Sequence, residues 1–390
     1  MPTNCSKKAQ MKHINLICHK AHLVSGSVNF IKELFKKEFT VDIIIGDQKL
    51  QHTRALLKNK TDAIFVLWQT EYLAPWLVSL GKKVVVFPMY DGCGNAPKSY
   101  FKILDHTYLF NFSKKLHQRC IDAGIVSYHL TYYPEPSNDK KQTKKISRLF
   151  YWLRRPNSSL SESFITELFS PFVDNIHIHD RPDQYKLDKS GSRVPDGFIS
   201  TSNWFKRKKD LVSLISSSKY YLAPRESEGI GMAFLEAMNE GCIVFANRNS
   251  THDQYIYDGY NGFLIDFTSG DKQLIQSQIE KAFNIINTGR AIGENARNFM
   301  QKGFPIWQAQ SENLLKILKI LDESDPHEKL RKSEQKIGYF LAYVYFIHPW
   351  TYFTLTDVFL KLGFFSDKFF RLNITIIYYL FKKIFRRIRR

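Results

Sequence analysis

Apolar runs of strand length, separated by stretches of helical periodicity, occur in two successive sets along this chain. INLICHK, FTVDIIIG, AIFVLW and KKVVVFP make the first set, and RLFYWL, DNIHIHD, KYYLAP and CIVFAN the second. Runs this continuously apolar must be covered on both faces, which is the condition of a parallel sheet flanked by helices. SGSVNFIKELFKK, between the first two runs, supplies a loop and a helix and completes a β-α-β unit with Gly26 in its first turn. The 390 residues accommodate two domains of ordinary size. The polar segment PEPSNDKKQTKKIS, residues 134–147, reads as the linker between them. The expected domains are therefore 11–135 and 146–325, with a disordered lead-in before Met11 that has no apolar core long enough for a signal peptide.

In the second set, YYLAP reads as a strand, RESEGIG as a loop at its carboxyl end, and MAFLEAMNE as a helix closed by Gly241. Open α/β sheets bind ligands at that place. Gly229 and Gly231 let backbone amides approach a ligand closely, and the helix N-terminus after them favours phosphate. Glu228 and Glu236 are carboxylates eight apart, each suited to accept two hydroxyl hydrogens of a sugar diol. A Glu near a helix start is also what the helix dipole favours, and a Glu within a helix often marks a solvated face.

Pro224, the Glu228-Gly-x-Gly run, Leu235-Glu-Ala-Met and Gly241 resemble the Glu-x7-Glu signature of retaining GT-B glycosyltransferases of the family-4 type, the glycosyl transferases group 1. Downstream, THDQYIYDGYNGFLID resembles the same family's segment ending in Asp-Gly-x-Asn-Gly, here Asp258 to Gly262. The resemblance implies a GT-B fold, two Rossmann-like α/β domains facing a crevice, and a nucleotide-sugar donor. It implies that Glu228 contacts hydroxyls of the transferred sugar and that Glu236 holds the ribose. The amides of Gly229, Ile230, Gly231 and Met232 would meet the diphosphate or sugar, with Arg225 of the same loop among the donor-binding residues. The family places an Arg and a nearby Lys on the diphosphate; YWLRRPNSSL offers Arg154 or Arg155, but no Lys follows at the usual spacing. Gln254 stands where the family often has Glu and receives no catalytic role. Retention of configuration and front-face attack are likewise implications of the family. No Asp-x-Asp occurs in the chain, which suits metal-independent stabilisation of the leaving diphosphate by basic side chains and aimed amides.

In the first domain, FPMYDGCGNAP follows a strand and makes Asp91 a candidate for orienting or deprotonating an acceptor hydroxyl, against its reading as a turn residue before Gly92. Gly26 is a candidate for close approach to the donor phosphates, or a plain tight turn. The absence of Gly-x-Gly-x-x-Gly at that turn argues against a nicotinamide or flavin enzyme, and no cofactor is expected. His177 and His179 share a strand face with possible metal spacing, but a half-exposed strand accounts for the alternation, and no metal is expected. Five scattered cysteines fit reduced thiols. Formal net charge is +19, which favours an anionic partner, while KRKK at 206–209 with its neighbouring Trp204 falls short of a nucleic-acid module.

Residues 336–390 change character. Residues 337–356 carry no charged side chain, yet Pro349, His348 and many Tyr and Thr argue against a spanning helix. Ile377, Leu380, Phe381, Ile384, Phe385 and Ile388 form one helical stripe amid six Lys and Arg, the pattern of an interfacial helix on anionic lipid. The alternative is a cap packed on the chain's own core. The resulting expectation is a sugar transferase on the inner face of the plasma membrane. Its acceptor would be a membrane-linked glycan of lipopolysaccharide, O-antigen or capsule type. The alternative from another class is a membrane-docked nucleotide-sugar binding protein without turnover.

Overall fold

The computed structural model describes residues 12–46, 63–102, 104–136, 145–154, 159–180, 197–203, 205, 207–249 and 251–324. Packing divides the chain into two units. Each described unit is built on a six-stranded sheet whose strand pairs are all parallel.

The first sheet contains β1 (His13–Cys18), β2 (Thr40–Ile45), β3 (Ile64–Trp68), β4 (Lys83–Phe87), β5 (Tyr108–Asn111) and β6 (Ser127–His129). Their order is β2-β1-β3-β4-β5-β6. Every residue of β3 is buried, as its unbroken apolar run requires. One face packs Leu67, Val84, Val86 and Leu109 against Trp76, Leu77, Phe101 and Leu116 from the helices.

The second sheet contains β7 (Ile146–Leu153), β8 (Asn175–Asp180), β9 (Ile199–Ser202), β10 (Ser218–Leu222), β11 (Ile243–Asn247) and β12 (Phe263–Ile265). Its order, β12-β11-β10-β7-β8-β9, is the doubly wound Rossmann sequence, with the chain reversing direction across the sheet between β7 and β10. Leu149, Tyr151 and Leu153 alternate onto one face with Tyr220, Leu222 and Phe245, under Phe169, Ile279 and Phe283. The opposite face carries a stack in register: Phe150 lies 5.5 Å from Tyr221 and 5.7 Å from His177, ring centroid to centroid.

That stack corrects the expectation for the DNIHIHD strand. His177 and His179 are buried, not half-exposed. Both imidazole nitrogens of His177 bond to Ser200 and Ser202 on β9, and His179 Nδ1 also meets Ser202, each at 2.9 Å. The neighbouring strand supplies hydroxyls that satisfy a polar residue at a core position, which a reading of one strand cannot anticipate.

Other differences concern boundaries. A six-residue helix, Lys20–Ser25, follows β1 directly, and Gly26 is its left-handed cap at φ 71° instead of a bare turn. The last described helix runs Ile292–Glu323, well ahead of the amphipathic stretch at its end, and takes Pro305 inside it. The division by packing falls at Leu130, before the polar segment, and returns the end of the last helix, from Ser311, to the first unit. Lys12–Glu323 and Glu38–Lys319 ion pairs, each 2.8 Å, fasten the end of that helix to the first unit. The expected lead-in, most of the linker and the whole tail at 336–390 lie outside the described residues. Among the described residues no helix is long and apolar enough to cross a membrane.

Candidate functional site

The carboxyl ends of β7 and β10 adjoin at the switch point of the second sheet, where crevice ligands of doubly wound sheets bind. Arg154 is the first residue after β7, its guanidinium 4.7 Å from the centroid of the Trp152 ring. The loop after β10 is tied to the segment after β7 by Glu226, whose Oε1 accepts from Ser159 N–H at 2.9 Å and from its hydroxyl at 2.7 Å. Asn247, at the end of β11, donates from Nδ2 to the Glu226 carbonyl at 2.9 Å. Three strand ends thus fix one loop.

Within it, Glu228 is buried and Arg225 Nη1 stands 3.9 Å from its carboxylate. Gly231 then caps the helix Met232–Asn239 in the left-handed region at φ 80°. A Cβ at Gly231 would lie 1.9 Å from the Phe234 ring, so only glycine fits. Glu236 sits one turn into the helix, half-buried, while its neighbours Phe234, Leu235, Ala237 and Met238 are buried. Burial pushes the Tyr221 hydroxyl up, reinforced by Glu228 and Glu236 and opposed by Arg154. Burial and Glu236 do the same to Tyr132. The two acids and Arg154 therefore act electrostatically on one tyrosine, although they come from separate elements.

The loop after β11 completes the support. Thr251 takes φ 78°, rare for a β-branched residue, and its hydroxyl donates to the Glu228 carbonyl at 2.7 Å. His252 Nδ1 donates to the Asn247 carbonyl at 3.0 Å, and burial pushes this imidazole down to about 4. The Asp-Gly-Tyr-Asn-Gly segment closes on itself: Asp258 accepts from Leu264 N–H at 3.1 Å, and Asn261 accepts from Tyr257 N–H at 2.7 Å. Gln254 accepts from Lys114 N–H and donates to the Phe112 carbonyl, so its amide has a structural task.

In the first unit the corresponding switch point lies between β1 and β3. Asp91 follows β4 and accepts from Gln69 Nε2 at 3.1 Å. The Gln69 carbonyl accepts from His19 Nε2 at 2.8 Å. Gly26 lies in the same unit, capping the helix after β1.

The sequence-identified residues thus fall into two groups. Arg154, Arg225, Glu228, Gly229, Ile230, Gly231, Met232 and Glu236 belong to the second unit, around one switch point, whereas Asp91 and Gly26 belong to the first. Arg155 lies outside the described residues. Glu226, Ser159, Thr251 and Asn247 escaped sequence reasoning. Only the acid spacing within RESEG carried a signal, and it does not mark a partner remote in sequence.

Residues 201–299 match the family model for Glycosyl transferases group 1. An uncharacterised glycosyltransferase of Methanocaldococcus jannaschii, MJ1069, is 26% identical over 133 residues, 33% of each chain, so this chain spans about a third of the curated relative it matches. Among solved structures, Anabaena HepE in complex with UDP and glucose has a TM-score of 0.56 at 12% identity, over 78% of this chain and 100% of that one. Sucrose-phosphate synthase from Thermosynechococcus elongatus has a TM-score of 0.57 at 11% identity, over 80% of this chain and 99% of that one. The two parallel α/β units are those of the GT-B fold, and the segment that matches Glycosyl transferases group 1 is the one that carries Arg225, Glu228, Gly231 and Glu236.

Proposed function

We propose that this protein is a GT-B glycosyltransferase that moves a sugar from a nucleotide-sugar donor to a membrane-linked glycan of lipopolysaccharide, O-antigen or capsule type. The observation that carries the reading is the assembly of Arg154, Arg225, Glu228 and Glu236 around one switch point, on loops fastened by Glu226 and Thr251 and on the helix that follows them. The group 1 match over 201–299 and a fold shared with a protein bound to UDP and glucose support it.

Transfer breaks the bond between the anomeric carbon and the diphosphate oxygen and forms one to an acceptor oxygen. Negative charge grows on the diphosphate as it leaves. Arg154, Arg225 and the amides at the start of the Met232–Asn239 helix oppose that charge without a metal ion. Glu228 accepts hydrogen bonds from the transferred sugar, and Glu236 from the ribose. The acceptor enters on the face the phosphate leaves, and its proton passes to a phosphate oxygen, so configuration is retained. Asp91 orients the acceptor hydroxyl. The charge of +19 and the basic stripe at 377–390 hold the protein on the anionic inner face of the membrane.

The test begins with thermal shifts against a panel of nucleotide sugars, because a ligand at 100 times its Kd stabilises by about 2.7 kcal/mol. Donor hydrolysis with the best ligand, EDTA present, then separates turnover from binding alone. Glu228→Gln is expected to lose about a hundredfold or more in turnover with little change in folding. Wild-type turnover in that variant overturns the donor-site assignment, and binding without any hydrolysis or transfer favours a non-catalytic binding protein.

A further inference from the structure

Gln69 makes three hydrogen bonds to residues at the ends of other strands. Its N–H donates to the Phe87 carbonyl at the end of β4, at 3.2 Å. Its carbonyl accepts from His19, the residue after β1, and its side-chain amide donates to Asp91, beyond β4. The residue adopts φ 53°, the left-handed region that favours glycine, although it is glutamine. The backbone turn swings the carbonyl toward β1 while the side chain reaches the short helix Tyr90–Cys93 after β4. Strained residues of this kind persist where the surroundings over-determine them, and they concentrate at ligand sites.

The neighbours strengthen the case. Thr70 donates to the Ile17 carbonyl at 3.2 Å and Tyr72 to the Gly46 carbonyl at 3.1 Å, so the segment after β3 is stitched to the ends of β1 and β2 as well. Glu71 is 3% exposed, and among the described residues its Oε2 has no hydrogen-bond partner. Burial raises its carboxyl, opposed by its own backbone amide, by Tyr100 and then by His19, with Asp91 adding the smallest push upward. His19, Gln69 and Asp91 are themselves half-buried, hence reachable from solvent.

We propose that His19 and Asp91 act as one hydroxyl-binding pair for a sugar at the switch point of the first sheet, and that Gln69 is the positioning residue that sets it. The Gln69 carbonyl can only accept, so His19 Nε2 carries the hydrogen of that bond, and in this tautomer Nδ1 is the acceptor. Asp91, held through the Gln69 side-chain amide, contributes carboxylate oxygen. An imidazole nitrogen and a carboxylate accept hydroxyl hydrogens, and a glycoside supplies adjacent hydroxyls to both. The pair deepens the acceptor role proposed for Asp91 and rests on that reading.

Saturation-transfer NMR with a panel of methyl and p-nitrophenyl glycosides reads the site without requiring turnover. Transfer to the same glycosides reads it in action. Gln69→Gly removes the amide and relieves the left-handed strain, so the variant is expected to fold at least as well as wild type. Even so it should bind and glycosylate these glycosides about 10- to 100-fold less well, the range set by hydrogen bonds to charged groups. His19→Ala should show the same loss, and neither should alter the nucleotide-sugar thermal shift. Gln69→Glu, which sets a like charge against Asp91, should not rescue either property. Glycoside binding unaltered in Gln69→Gly and His19→Ala, or wild-type protein that binds no glycoside of the panel, overturns the proposal. The thermal shift of wild type with nucleotide sugars reports separately on the donor assignment.

Discussion

Replacing Gly231 by Ala tests the geometry of the loop after β10 directly. At φ 80° an alanine is held in the left-handed region, which costs roughly 1–2 kcal/mol. Its Cβ would stand 1.9 Å from Phe234 Cε1, 2.6 Å from Cδ1 and 2.9 Å from Cζ, so the ring must move. The ring has little room: it lies edge-on against His252 at 5.1 Å and Tyr255 at 6.0 Å, and all three residues are buried. Overpacking a core in this way costs about 1–3 kcal/mol more. The expected destabilisation is therefore roughly 2–5 kcal/mol, measured as a lowered urea midpoint at constant m. Phe234→Leu in the Gly231→Ala background should recover part of the overpacking term and none of the backbone term. A Gly231→Ala protein within about 0.5 kcal/mol of wild type, the spread of an inconsequential surface change, refutes the steric account.

Glu236→Ala and Arg154→Ala are each expected to weaken binding of the free nucleoside diphosphate by about 1.5–3 kcal/mol in calorimetry; unchanged affinity in both misplaces the donor site. His252 and His177 are pushed down to about 4 by burial, so the unfolded chain takes up protons first as pH falls below the ordinary value. Their contribution is whole above about pH 6.5 and declines toward pH 4, costing about 2 kcal/mol each by pH 5. His252→Phe should flatten the fall in urea midpoint between pH 7 and 5, and an identical fall in both proteins counts against the buried neutral imidazole. Truncation after about residue 330 should abolish sedimentation with anionic vesicles and leave nucleotide binding intact, since each basic residue near such a surface contributes about 1 kcal/mol. Pelleting by the truncated chain would place membrane attachment elsewhere.

The sequence alone determined eight of the twelve described strands and the strand-loop-helix turn after β10, because their signals are local. In contrast β5, β6, β9 and β12, three or four residues each, are too short to show a pattern. An unbroken run such as IFVLW must be buried on both sides, and the glycines before MAFLEAMN mark a strand-to-helix turn wherever the rest of the chain goes. What lies across space was decided only in the tertiary structure. The order β12-β11-β10-β7-β8-β9 brings Ser159 to Glu226, 67 residues away, and turns two separately read segments into one switch point. His177 and His179 alternate like a strand with one wet face, yet β9 supplies serines and β7 supplies Phe150, and the face is dry. Gln69 and Thr251 carry no motif. Each tolerates a left-handed backbone because its partners, at His19 and Asp91 or at Glu228, are already fixed by other strands. Periodicity records what one segment must bury, whereas a buried polar group is admissible only through the partner that the sheet order brings to it.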